Sequence, residues 1–383
     1  MLELLKELTG IECRENVKRK SMSARLCILE IFAFHGPCLS YAKLQEKYGR
    51  GMKGYLKRVL KYLEERGFIK KVKVEDKDLY CLTVKGLAVA QPDPSCPELF
   101  LAGADVALKV ALESEIKGLN WLLSAGRYWV NDRFVYSEDF RIARSLGGLL
   151  FLDSGAQQFY SKFRSFSYPF TPRQYLDLAS AIGADLVATL DLPLDILTPR
   201  GLSVREGIKK TVELGAEVVS HAEDMNILDK IVPVLQGYKD PNEWLEALDL
   251  YKQHGVSPKR FRLWGIGSLC MARSIKLVKN VIKAVRQALR NDNKIHVFGI
   301  SMSSLRKVYS FIDSYDTSAW VYWVKMDGAV LVWSRRKKAF IHLSSREGHR
   351  YRTEDLMEAN LRSLIDMHRD LCLLKMTKSF DSE

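Results

Sequence analysis

The sequence predicts an α/β protein in which a (β/α)8, TIM-like barrel follows an N-terminal winged-helix domain. Three observations predict it. From Leu99 onward, short apolar runs alternate with amphipathic helical segments, the pattern of parallel β/α architecture. Five of these runs in succession end on a carboxylate, an amide or a glycine-hydroxyl group, where such a barrel carries its active-site loops. Ahead of them, residues 1–90 read as three helices and a basic hairpin. With 383 residues, 47% hydrophobic and 27% charged, the chain has material for two globular domains and is not a disordered polymer. The expected division is 1–90, a linker at 91–98, and a barrel at 99–383 that includes a C-terminal helix.

In the first domain, residues 22–35 have helical apolar spacing and stop at Gly36-Pro37, and Ser40 is placed to cap a short helix closed by Gly49. The third helix, 51–66, is the expected recognition helix. Tyr55, Val59, Leu60, Leu63 and Phe68 fall on or near one face, leaving Lys53, Lys57, Arg58 and Lys61 to the other. Alternating residues on either side of a turn at Glu75–Asp78 then form a two-stranded wing, whose Lys70, Lys71, Lys73 and Lys77 are placed to meet phosphates. Of the net charge of +13, a surplus of eight lies in residues 1–90. Such asymmetry points to a polyanion, with nucleic acid the commonest. A winged helix that binds protein, its lysines merely solvated, is the alternative. Pro92, Pro94 and Pro97 mark the linker.

In the second domain the predicted strands are 148–153, 185–191, 231–237, 260–268, 294–301 and 317–324, with helices between them, three of which are expected to close at a glycine. Asp153, Asp191, Gln236, Gly267 with Ser268, and Ser301 stand at strand ends. A lone aspartate there is more often a helix cap; five polar ends in a row favour a site. An open doubly wound sheet is the structural alternative, but neither a G-x-G-x-x-G after a first strand nor a G-x-x-x-x-G-K-[ST] is found. Seven single cysteines without a C-x-x-C indicate thiols rather than a disulfide framework or a zinc ribbon. No apolar run is long enough for a membrane span and no signal peptide is evident, so the expected compartment is the cytosol.

The succession FLDSGAQQF, TLDLP, PVLQG, WGIGSL, HVFGIS and SYDTSAW resembles the guanine transglycosylase superfamily over about residues 99–330. The resemblance implies that Asp153 moves the proton of the exchanging base, that Ser154, Gln158, Asp191, Gln236, Gly267 and Ser268 bind the base, and that Asp316 is the nucleophile, with Asp313 as a less favoured neighbour. The residue types suit the chemistry. Cleaving a base–ribose bond passes through an oxocarbenium-like centre, which one carboxylate can trap as an ester while a second exchanges protons with the bases. Reading guanine takes acceptors for its N–H groups and donors for its carbonyl.

There are two departures from the family. Its C-x-C-x-x-C…His zinc motif is not found, so His342, His349 and His368 have no cysteine cluster to complete such a site, and no metal and no cofactor are expected. The RNA-binding domain that archaeal tRNA enzymes append is also not found, and a winged helix is added in front. The style is closest to DNA-guanine transglycosylases, which insert a 7-deazaguanine such as preQ0. DNA is therefore the favoured partner, with a tRNA-guanine transglycosylase as the first alternative. A non-catalytic regulator that senses a deazaguanine is the second, although it would not need Asp316. Oligomeric state is left open.

Overall fold

The computed structural model of the chain describes residues 38–48, 53–65, 69–74, 77–82, 96–114, 118–163, 167–272, 274–334, 339–343 and 352–380. The helix expected at 22–35, most of the expected linker and His349 lie outside the described residues. The chain divides into two compact units, one of residues 97–327 and one of residues 1–96 together with 328–383.

In the latter unit, strand β1 (Cys38–Ser40), helices at Tyr41–Tyr48 and Lys53–Glu65, and strands β2 (Ile69–Val74) and β3 (Lys77–Leu82) follow in order. Ser40 caps the first helix, its hydroxyl accepting from the Lys43 N–H at 3.2 Å. The second helix buries Leu56, Val59, Leu60 and Leu63 and exposes Lys57, Arg58 and Lys61, so its 3.6-residue period separates an apolar from a basic face. The strands form an antiparallel sheet in the order β1-β3-β2. The hairpin is tighter than its composition suggested. Val74 pairs with Lys77, which leaves two residues between the strands and puts Lys77 and Asp78 into β3. Cys81 stands opposite Cys38 in the sheet and is disulfide-bonded, which departs from the expectation of isolated thiols.

The other unit is built on nine parallel strands: β4 (Glu98–Ala102), β5 (Leu119–Ser124), β8 (Gly147–Asp153), β9 (Leu186–Ala188), β10 (Ile231–Val232), β11 (Val234–Leu235), β12 (Leu263–Ile266), β13 (Lys294–Val297) and β14 (Ser314–Thr317). A small hairpin, β6 (Trp129–Val130) and β7 (Arg133–Phe134), follows β5 and turns on Asn131 and Asp132, both with positive φ. Neighbours in the sheet run β10-β9-β8-β5-β4-β14-β13-β12-β11. The two ends of this order, β10 and β11, are separated only by Pro233, which has no N–H to give to a ladder. Residues 231–235 thus pair with β9 at one end and with β12 at the other, and the sheet is a nearly closed barrel ringed by helices. Its interior is filled: Phe100, Leu122, Phe151, Ala188, Val232 and Val234 form one buried cluster, with Phe298 packed against it.

Three readings need correction. The strands β4 and β5 were not named from the sequence. The run 317–324, read as a strand for its aromatic and β-branched residues, is the helix Ala319–Asp327, and the strand is Ser314–Thr317 just before it. Trp320, Val321 and Val324 are buried while Tyr322, Lys325 and Met326 are exposed, a helical period that the high overall hydrophobicity concealed. Finally, Gly183 and Gly255 follow their helices with φ of 64° and 77°, but Gly215 ends nothing. The helix Val204–Asp224 runs through it, and a Cβ there would meet the Tyr251 hydroxyl at 2.0 Å.

The last elements are the hairpin β15 (Val330–Ser334) and β16 (Ala339–Leu343) and the helix Thr353–Phe380. Helix side chains satisfy the strand: Asn360 Oδ1 accepts from the Leu331 N–H at 2.6 Å and Ser363 Oγ from the Trp333 N–H at 2.5 Å. Among the described residues no helix is long and apolar enough to cross a membrane.

Gly215→Ala is predicted to destabilise the protein although alanine is the better helix former. The added methyl must displace a fully buried tyrosine, at a cost of about 1–3 kcal/mol, against about 1 kcal/mol of helix propensity gained. Urea denaturation of the variant should show a lower midpoint; a higher one would mean that Tyr251 yields freely.

Candidate active site

Parallel strands all deliver their C-terminal ends to one rim of a barrel, so residues distant in sequence converge there without any local signal. On this rim Asp153 ends β8, Asp191 follows β9, Gln236 follows β11, Gly267 and Ser268 follow β12, and Asp316 lies in β14.

Asp191 is the hub. It is buried, and Ser154 donates to its Oδ1 at 2.6 Å while the Gln236 side-chain amide donates to its Oδ2. The Gln236 carbonyl accepts from the Ser268 hydroxyl, whose oxygen accepts from the Leu194 N–H at 2.7 Å. This chain fixes the orientation of the Gln236 amide and joins four strand ends. Gly267 is required for it, because a Cβ at that position would fall 2.3 Å from Gln236 Nε2. Tyr168 closes the network from the far side: its hydroxyl donates to the Asp191 carbonyl at 2.7 Å and accepts from the Asp191 N–H at 3.3 Å. Tyr175, fully buried, sets its hydroxyl within reach of the Leu152 and Ala188 carbonyls, tying the ends of β8 and β9 together.

Burial pushes the Asp191 carboxyl up to about 6, against the hydrogen bonds from Ser154 and Gln236 that favour its ionised form. Burial and the nearby carboxylates of Asp191 and Asp316 push Asp153 further, to about 7, although Ser124 and the Gly155 N–H hold it down. Asp153 is therefore close to half-protonated at neutral pH, the condition for a group that both gives and takes a proton. Asp316 is 6% exposed and accepts from the Gly299 N–H at 2.8 Å through Oδ1.

The neighbouring Asp313 is otherwise engaged. Its Oδ2 accepts from the Ile295 N–H at 2.8 Å and from Arg286, so it braces β13 and the helix Ile275–Ala288. Gln158 stands on the first turn of the helix Ala156–Phe163, exposed, with its Oε1 accepting from Ser124 at 2.9 Å. Ser301 caps the helix Met302–Val308 and does not join the rim network. Sequence reasoning missed Ser124, Tyr168, Tyr175 and His296. The first three sit outside the recognised motifs, and His296 sits inside one, HVFGIS, where a single histidine among apolar residues gives no signal of a partner.

The basic residues lie in the other unit. Lys57, Arg58 and Lys61 share the exposed face of the helix Lys53–Glu65, where Lys53 is the first residue; Lys61 has Glu65 at 3.7 Å. Lys70, Lys71 and Lys73 are exposed on β2, with Lys71 paired to Asp78 at 2.6 Å. The residues do not fit the zinc of the resembled family. The sequence lacks its thiolates, and among the described residues no three His, Cys, Asp or Glu side chains gather as a metal site. Cys372 Sγ lies 3.9 Å from His368 on one helix, and His342 lies in β16.

A family model described as DpdA, DeoxyPurine in DNA protein A, matches residues 181–341, fewer than half of the chain. The match takes in Asp191, Gln236, Gly267, Ser268, His296 and Asp316, and begins beyond Asp153, Ser154 and Gln158. No curated protein matches the chain.

A raised carboxyl has a definite consequence for stability. The folded protein holds the Asp153 proton up to about pH 7, while the unfolded chain releases it near the ordinary value of 3.8. The stability contributed by this group is thus fully present below about pH 3.8 and is lost as pH rises through about 7. Asp153→Asn is predicted to remove that loss. Between pH 5 and 8 its unfolding free energy should fall by about 1–3 kcal/mol less than that of the wild type. Denaturant titrations at the two pH values decide, and equal slopes would show that Asp153 titrates normally.

Proposed function

We propose that this chain is a DNA base-exchange enzyme that replaces guanine by a 7-deazaguanine of the preQ0 type through a covalent ester to Asp316. One observation carries the reading: a proton-exchanging Asp153 and a buried Asp316 lie within electrostatic reach on the same rim as the Asp191–Gln236–Ser268 network. The match to a family described by deoxypurine in DNA supports DNA over tRNA.

The steps balance. An Asp316 oxygen bonds to the sugar C1′ as the glycosidic C–N bond breaks, the electron pair leaves with guanine, and the Asp153 acid supplies the proton. The incoming base then gives its N–H proton to the Asp153 carboxylate, its nitrogen bonds to C1′, and the ester C–O bond returns its electrons to Asp316. Asp153 serves as acid and then as base, which a carboxyl raised to about 7 performs at neutral pH. Asp191 reads the base. Its two oxygens accept one hydrogen bond each from Ser154 and Gln236, which leaves further lone pairs for base N–H groups. A base lacking those groups would leave buried acceptors unpaired, and so would be rejected.

The sheet β1-β3-β2 and its two helices are proposed to act as a winged helix that holds the DNA. Lys53, Lys57, Arg58 and Lys61 would lie on its recognition helix, and Lys70, Lys71 and Lys73 on its wing. A base inside a duplex is out of reach of a barrel rim, so the target nucleotide must leave the stack.

Incubated with labelled preQ0 and separate pools of duplex DNA, single-stranded DNA and tRNA, the protein should label DNA, with a denaturation-resistant protein–DNA adduct that Asp316→Asn abolishes. Label in tRNA alone would move the substrate to RNA, and an adduct in Asp316→Asn would remove Asp316 as nucleophile. Asp191→Asn should weaken binding of the free base by about 1–3 kcal/mol, read by calorimetry. Independently, Lys57→Ala with Arg58→Ala should make the salt dependence of DNA binding shallower by roughly one to two in log–log slope. An unchanged slope would assign the basic helix to another partner.

A further inference from the structure

His296 lies within β13 and is fully buried, boxed by the rings of Phe100, Phe151 and Phe298 at centroid distances of 5.6, 4.9 and 4.5 Å. Leucine or phenylalanine would fill such an aromatic cage without a polar atom to satisfy. The imidazole instead finds two partners on the adjacent strand. Nδ1 lies 2.9 Å from Ser314 Oγ, its register partner, and Nε2 lies 3.4 Å from Asp316 Oδ1, two residues along and on the same face. The two contacts fix the tautomer. An ionised carboxylate only accepts, so a bare Nε2 would set lone pair against lone pair, whereas the Ser314 hydroxyl can donate to a bare Nδ1. The arrangement that satisfies all three groups has the hydrogen on Nε2.

The Gly299 N–H donates to the same Asp316 oxygen, Oδ1, at 2.8 Å, and Oδ2 accepts no hydrogen bond from the described residues. The two oxygens of the carboxylate are therefore unlike: among the described residues one is approached by two ring or backbone nitrogens and the other by none.

We propose that His296 is a positioning residue that pins Asp316 through Oδ1 and so leaves Oδ2 as the attacking oxygen. This rests on the reading of Asp316 as nucleophile. When the Oδ2 lone pair bonds to C1′ and the glycosidic pair departs with the base, Oδ1 becomes the carbonyl oxygen of the ester. Both N–H donors stay on it. On the return, the ester electrons flow back onto the carboxylate, and the charge that develops on Oδ1 meets donors already in place. Ser314 acts one step behind, holding the ring in the tautomer that can donate.

The experiment combines ring ¹⁵N spectroscopy of the full-length chain with kinetics of two His296 variants. The His296 signals, assigned by their loss in His296→Gln, should report hydrogen on Nε2 and a bare Nδ1, and should shift in Asp316→Asn. His296→Phe, which keeps an aromatic ring in the cage, should lower kcat for base exchange about 10-fold or more with KM for the incoming base unchanged. His296→Gln, which carries a side-chain N–H, should recover part of the loss. Hydrogen on Nδ1, signals indifferent to Asp316→Asn, a His296→Phe variant with wild-type kcat, or a rise confined to KM would each overturn the proposal. If the wild type exchanges no base, the transglycosylase reading fails instead. The tautomer and its response to Asp316→Asn, read on the unreacted protein, then still decide whether His296 holds Asp316.

Discussion

Three carboxylates crowded at one end of a filled barrel are the constraint on which the rest of the site depends. Asp153 ends β8, Asp191 follows β9 and Asp316 lies in β14, and at Asp153 the charges of the other two add to the cost of taking a carboxylate from water. Each is met by donors. Asp191 receives Ser154 and Gln236, Asp316 receives the Gly299 N–H with His296 close by, and Asp153 receives Ser124 and the Gly155 N–H but is still pushed up by burial and its two carboxylate neighbours. In the proposed function, acceptor, nucleophile and proton carrier differ through their surroundings, since chemically the three side chains are the same.

Further side chains brace the rim from behind. Tyr168 holds the backbone of Asp191, Tyr175 bridges the ends of β8 and β9, Trp244 donates to the Gly267 carbonyl at 3.1 Å, and Asp313 with Arg286 braces the base of β13. None of these groups is placed to react. They hold strand ends that would otherwise be free to splay, which is what a site assembled from many strands needs. The filled interior beneath serves the same purpose: Phe100, Phe151 and Phe298 form both the core and the cage of His296.

The basic helix and hairpin answer to a different physics. Lys57 and Arg58 sit on a helix whose opposite face is sealed by Leu56, Val59, Leu60 and Leu63, so their charge is displayed on a rigid support. Phosphate attraction of this kind is long-ranged and carries no sequence information of its own. Base selection in the proposed function therefore falls to Asp191 and its partners, where buried polar groups left unpaired are costly.

What the sequence determined by itself was whatever a local pattern can encode. Strand and helix alternate because periodicity and capping are short-range properties, and Ser40 caps its helix as its position suggests. Asp153, Asp191, Gln236 and Ser268 were legible as strand-end polar groups, and Asp316 through its motif. The helix Ala319–Asp327 was misread because its residues are apolar enough to hide a helical period, and Gly215 because a glycine tolerated for close packing resembles one that ends a helix. Only the tertiary structure decided which polar groups meet. The bonds from Ser154 to Asp191, from Gln236 to Asp191 and from Ser268 to Gln236 each join residues at least 32 positions apart. The approach of His296 to Asp316 depends on two parallel strands lying side by side in one register. Such pairings follow from closure of the barrel, a property of the whole chain that no window of sequence contains.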